Sequence, residues 1–160
     1  MRRKNLSLRQ NIKFIHPRDP AIDLENSDLE SYKENWNFDE HCKLLEGVQA
    51  SPCLIKAALT LREKERIDGS TFSAGKKGQM NFSPFAHKMA VVRTVLTGIE
   101  YDESVPDDEK IPFERENGLV TTSTMEHLCA ENLIDDIYLF WTSMQEADST
   151  QLKKKAASPF

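Results

Sequence analysis

Apolar residues concentrate between Ser83 and Met144, and their spacing changes along that stretch. Phe85, Met89, Val92 and Leu96 recur at helical intervals, widened by Val91 and Val95, which is the stripe of an amphipathic helix. Ser83 and Pro84 mark its start, as capping hydroxyl and first-turn proline, and Gly98 stands where a left-handed C-cap is expected. Burying about four such side chains contributes roughly 6–12 kcal/mol before entropy is subtracted. Ile99 and Tyr101 leave the helix as an apolar knuckle. The polar excursion YDESVPDDEKIPFEREN then holds Ile111 and Phe113 around a proline, which predicts an edge-like flap folded back onto the domain. Asn117-Gly118 predicts a tight turn before Leu119-Val120. Ser123, with Glu126 three residues on, is expected to cap a helix carrying Met125 and Leu128. A last helix, about Glu131 to Gln145, carries Leu133, Ile134, Ile137, Tyr138, Phe140, Trp141 and Met144. That stripe is wider than one contact face requires, so the helix is either packed on two sides or keeps a face for another subunit. Asp135 and Asp136 within it are expected to face water.

Upstream the pattern is sparser. NIKFIHP reads as a short strand with Ile12, Phe14 and His16 on one face, ended by Pro17. HPRDPAIDLENSD is extended and turn-rich, so residues 1–45 read as an extended N-terminal arm. Tyr32 and Trp36 share one face of a helical turn; with Phe38 they either pin the arm to the domain or dock on a neighbouring subunit. Deleting residues 1–40 is expected to leave the domain folded and to abolish assembly. The core domain, residues 46–145, opens with the strand-like SPCLIKAAL, followed by a Thr60/Glu63 capping box for a short helix ending by Asp68-Gly69. GSTFSAGKKGQMN reads as a loop, either mobile or ordered against an acidic partner. It is not a phosphate-binding loop, because five residues separate Gly69 from Gly75 and Lys77 follows Lys76 where a Ser or Thr is required. Residues 146–160 read as a polar, basic C-terminal tail. The fold class expected is α+β, mainly helical: a small helical domain with a short β element or hairpin and extended arms at both ends.

Composition narrows the chemistry. The net charge of −5 over 160 residues gives no overall drive toward nucleic acid or anionic membrane. The charge is asymmetric, however. Arg2, Arg3 and Lys4 at the start and Lys153, Lys154 and Lys155 near the end are the candidate phosphate contacts, weak and without sequence preference. Three cysteines without a close pair argue against a disulfide framework, and the basic start lacks the apolar core of a secretory signal. No apolar run approaches the ~20 residues of a membrane span. These features give the expectation of a soluble protein made in a cytoplasm. His41, Cys42 and Cys53 do not have structural-zinc spacing. The seven acids of the 101–117 excursion lack the alternation and glycine of a calcium loop. His16, His41, His87 and His127 are scattered and no nucleophile motif accompanies them, so no enzyme, cofactor or metal is expected.

The helix ending LTGIEY, the excursion DDEKIPFEREN and the two-part helical close resemble small proteins from the structural-gene modules of tailed bacteriophages and prophages. Upstream, IKFIHPRDPAIDL and LEGVQASPCLIKAALTLREKE fit the same pattern, so the resemblance covers roughly residues 12–145. It implies a non-enzymatic structural or morphogenesis protein, a minor virion component that binds other phage structural proteins or its own copies. The alternatives are a transient tail assembly chaperone absent from the mature particle, or a nucleic-acid-associated regulator using the basic termini. The implied location is the virion, assembled in the bacterial host cytoplasm. Tyr32, Trp36, Phe38, Tyr101, Ile111, Phe113, Tyr138 and Trp141 are the expected partner contacts.

Overall fold

The computed structural model describes residues 10–157, with side chains through Glu146. The architecture is α+β and mainly helical. Strand β1 (Asn11–Phe14) is followed by helices α1 (Leu29–Asn35) and α2 (Phe38–His41), then by β2 (Cys53–Lys56) and α3 (Leu61–Thr71). A hairpin of β3 (Phe72–Ala74) and β4 (Met80–Phe82) leads into α4 (Pro84–Val95) and β5 (Leu96–Ile99). A second, two-residue hairpin, β6 (Arg115–Glu116) with β7 (Leu119–Val120), precedes α5 (Thr122–Ala130) and α6 (Leu133–Ala157). The main sheet has the order β1-β2-β5, all antiparallel, with Phe14 opposite Cys53 and Ile12 opposite Ile55. Its inner face meets α4, α5 and α6 in a core where Ile55, Val92, Val95, Leu96, Val120, Leu128 and Ile137 are fully buried.

Local signals account for several of these elements. Thr60 and Glu63 form the reciprocal capping box of α3, and Lys56 pairs with the Glu63 carboxylate. Ser83 Oγ accepts from Ala86 N, with Pro84 in the first turn of α4. Asn117 (φ 54°) and Gly118 (φ 77°) turn β6 into β7, both left-handed as a type I′ hairpin turn demands.

The 111–113 segment lies folded back with Ile111 and Phe113 against the core. Buried Thr124 holds it there, donating from Oγ1 to Pro112 O (3.0 Å) and accepting from Glu114 N (3.0 Å).

The structure departs from expectation at several points, each for a physical reason. Residues 10–45 supply an edge strand and part of the core, since Phe14 and Tyr32 are each only 1% exposed. The boundary expected at residue 45 therefore runs through packed structure, and a 1–40 deletion would remove core residues. Helix α3 continues past Gly69 to Thr71, because Ile67 and Thr71 are buried and hold its last turn. Gly98 is a residue of β5 opposite Leu54, with no positive φ. The cap it was expected to supply comes from the guanidinium of Arg115, which donates to the carbonyls of Thr94, Leu96 and Gly118. Helix α5 is capped by Thr121, whose Oγ1 accepts from Thr124 N (3.3 Å), and not by Ser123. Asp136 does not face water: its Oδ2 accepts from His16 Nε2 at 2.7 Å. The backbone of α6 runs on to Ala157, so residues 146–157 are helical rather than extended.

Candidate protein-interaction surface

Arg2, Arg3 and Lys4 lie outside the described residues. Lys153, Lys154 and Lys155 fall on the α6 backbone, with their side chains also outside.

Most aromatics expected to meet a partner are occupied within the fold. Phe14 stacks on Phe140 (centroids 4.5 Å apart), Trp36 packs edge-on against both, and Tyr32 lies between Trp36 and Phe38. Tyr32 Oη donates to Ile15 O (2.6 Å), and burial pushes that phenol's pKa well up. Tyr138 and Trp141 are partly buried against the core, and Leu133, Ile134, Ile137 and Phe140 are buried within it. The broad stripe of α6 is thus covered from two sides, leaving Leu139 as its exposed large apolar residue among the described residues. Tyr101 is half-buried and its Oη accepts from Ile111 N (2.9 Å), so this knuckle is a clasp for the fold-back.

Apart from separate exposed residues such as Leu24 and Leu61, uncovered apolar surface lies on the segment read from sequence as a loop. The register Phe72↔Phe82, Ser73↔Asn81, Ala74↔Met80 puts Phe72, Ala74, Met80 and Phe82 on one face of a two-stranded ribbon. Phe72 is 43% exposed, Met80 66%, Phe82 55% and Phe85, in the first turn of α4, 69%. Phe85, expected in the core stripe, is therefore a surface residue.

The ribbon is well formed. Gly75 N donates to Gln79 O (2.6 Å) to close the turn, and a Cβ at Gly75 would come within 2.8 Å of Asn81 Nδ2. Phe82 approaches Phe72 (5.6 Å) and His87 (6.1 Å), and His87 in turn meets Tyr138 edge-on (5.9 Å). Thr71 Oγ1 donates to Ile67 O (2.7 Å) and so must accept from His87 Nδ1 (3.1 Å). That bond fixes the tautomer, leaving Nε2 as the acceptor in the neutral ring. His87 is thus a half-buried, oriented histidine beside the ribbon.

A second feature is a half-open cleft of about 1070 Å³ bounded by the loops 16–21, 47–53 and 99–112 and by the junction of α5 and α6. Its wall carries six carboxylates (Asp19, Asp102, Asp107, Asp108, Glu109 and Glu131) against two fixed cations, Arg18 and Lys110. Asp19 accepts from Ala21 N and Ser51 N, Asp102 holds Ser104, and Asp107 pairs with Lys110 at 3.1 Å. Asp108, Glu109 and Glu131 are exposed, and their carboxylates join no side-chain hydrogen bond or ion pair among the described residues.

Two titratable groups on the cleft wall are engaged by the fold itself. His16 accepts from Arg18 N at Nδ1 (3.1 Å) and donates from Nε2 to Asp136, so both ring nitrogens are engaged. Cys53, at the cleft wall, is buried and its thiol is pushed up to about 12 by loss of solvent, with Asp19 adding to the effect. His41 Nε2 accepts from Asn35 Nδ2 (3.0 Å). Among the described residues no three His, Cys, Asp or Glu side chains gather in a way that could hold a metal ion, and no helix is long and apolar enough to cross a membrane.

No family model, curated protein or solved structure matches the chain.

The signal for the missed surface is present in the residues. F-S-A and M-N-F alternate apolar and small or polar positions on either side of G-K-K-G, which is a hairpin pattern. Each arm is only three residues long, so glycine and lysine content masks the alternation.

Proposed function

We propose that the chain is a non-enzymatic structural or assembly protein of the tailed-bacteriophage kind, acting by binding other proteins of the particle. One observation supports this reading: an ordered ribbon whose apolar face is exposed beside an oriented histidine, with Phe85 also exposed in the first turn of the helix that follows. An exposed apolar face of this sort on a folded domain is a feature of protein–protein contact sites. Aromatics in such a position are the residues expected to dominate binding energy. The phage assignment rests on the LTGIEY, DDEKIPFEREN and upstream motifs. As a minor virion component the chain would be found in purified particles by mass spectrometry, whereas a tail assembly chaperone would be missing from them.

The test is the double variant F82S/F85S introduced into particle-producing cells. It should fold with an unchanged circular dichroism spectrum and lose its cross-links to particle proteins, and particle yield should drop. Full yield and unchanged cross-links would sink the reading.

A further inference from the structure

We infer that the partner of the hairpin includes a second copy of this chain, with the hairpin tip of one copy seated in the acidic cleft of the next. This deepens the protein-binding reading above and rests on it. The tip and the cleft are complementary in sign. Lys76 and Lys77 sit at the turn, exposed and without an ion pair among the described residues, and Lys77 is presented by a left-handed backbone (φ 62°). Asp108, Glu109 and Glu131 are exposed and equally without partners.

Size is compatible as well. The cleft, at about 1070 Å³, lies just above the usual range for small-molecule sites, and its carboxylates do not converge on one point as a bound ion would require. A two-stranded ribbon, with strands about 4.8 Å apart, is an object of suitable breadth. The cleft also offers Val48, Val105 and Ile111 as apolar wall, which Met80 on the entering ribbon can cover.

Hairpin and cleft share no residue, so one copy can give and receive at once. An interface between two different surfaces of the same chain is heterologous, and repetition leads to a closed ring or an open filament. The exposed charge pairs make the contact salt-sensitive.

The experiment uses the full chain in sedimentation velocity over a range of concentrations. Wild type should grow in mass with concentration and revert toward monomer in about 1 M salt, where the screening length is about 3 Å. K76E/K77E, with a damaged hairpin, and D108K/E109K/E131K, with a damaged cleft, should each raise the dissociation constant by about tenfold or more. Mixed in equal amounts, they should regain growth in mass with concentration, because the native hairpin meets the native cleft and the reversed hairpin meets the reversed cleft in alternation. Matching circular dichroism and melting midpoints establish that both variants fold.

A wild type that stays monomeric throughout overturns the inference, as does association that survives both variants. If the wild type is monomeric while F82S/F85S still abolishes cross-links to particle proteins, only the self-partner is wrong. If self-association follows the charges while particle formation ignores F82S/F85S, it is the structural-protein reading that falls.

Discussion

Two edge strands carry phenylalanine, and the fold treats them in opposite ways. Phe14 on β1 is closed over by Trp36 and by Phe140 of α6, and only 1% of it reaches solvent. Phe72 on β3 has a cross-strand partner in Phe82, which in turn neighbours His87, and both rings stay about half exposed. The difference is one of layers. The main sheet is backed by helices, while the three-residue ribbon has a single apolar face without a second layer. Aromatic content alone therefore does not tell covered from uncovered surface in this chain, whereas the presence or absence of a covering element does.

The sharpest way to break the comparison is to remove the covered ring. Phe14→Ala should cost about 3–5 kcal/mol in equilibrium urea unfolding, through lost burial and the cavity left between Trp36 and Phe140. A cost near zero would mean that β1 is not an integral part of the core.

Next in size is Arg115, which joins the end of α4 to the β6–β7 hairpin. Burial disfavours its charged form, yet it is held by three backbone carbonyls. Arg115→Ala should lose about 2 kcal/mol by the same measurement, since those carbonyls lose a charged donor.

The capping box gives a smaller, pH-dependent effect. Burial raises the Glu63 carboxyl, but the Lys56 ammonium and the Thr60 amide together outweigh it, so its pKa lies below the ordinary 4.5. A depressed carboxylate stabilises the fold fully above its unfolded value and ceases to do so as pH falls through the folded one. Wild type should therefore lose more stability than Glu63→Gln between about pH 6 and about pH 3. At neutral pH the substitution should cost about 1 kcal/mol. Parallel pH profiles for the two proteins would remove Glu63 as the cause.

At the other end of the comparison, Phe82→Ser should change unfolding free energy by no more than about 0.5 kcal/mol, because the ring is more than half exposed. Its effect should appear instead in binding and in solubility. A loss comparable to that of Phe14→Ala would show the ribbon to be structural.

Much of the frame was legible in the sequence wherever one local signal decides the outcome. The Thr60/Glu63 box, the Ser83-Pro84 start, the Asn117-Gly118 turn and the strands around Phe14 and Ile55 all depend on neighbours within a few residues. The departures arise where a distant group decides. Gly98 looks like a cap until Arg115, from another hairpin, occupies the carbonyls. Asp136 looks solvent-facing until His16 reaches it from the loop after β1. Phe85 fits the core stripe by spacing, but it lies in the first turn of α4, ahead of the sheet and helices that bury Val91, Val92 and Val95. The candidate surface was the least legible part, because two three-residue arms carry too little period to compete with a run of glycine and lysine.

The pairing of β1 with α6 also bears on how the protein is made. His16 and Asp136 are 120 residues apart in the chain, and Phe14 and Phe140 farther still. At about 5–20 residues per second, a ribosome needs roughly 6–24 s to deliver the second partner after the first. Over that interval β1 can pair with β2, but Phe14 and Trp36 lack the ring of Phe140 that shields them in the finished fold. Closure of the aromatic cluster is thus a late, long-range event. A chain truncated before α6 would present to chaperones and proteases the same rings that the complete protein conceals.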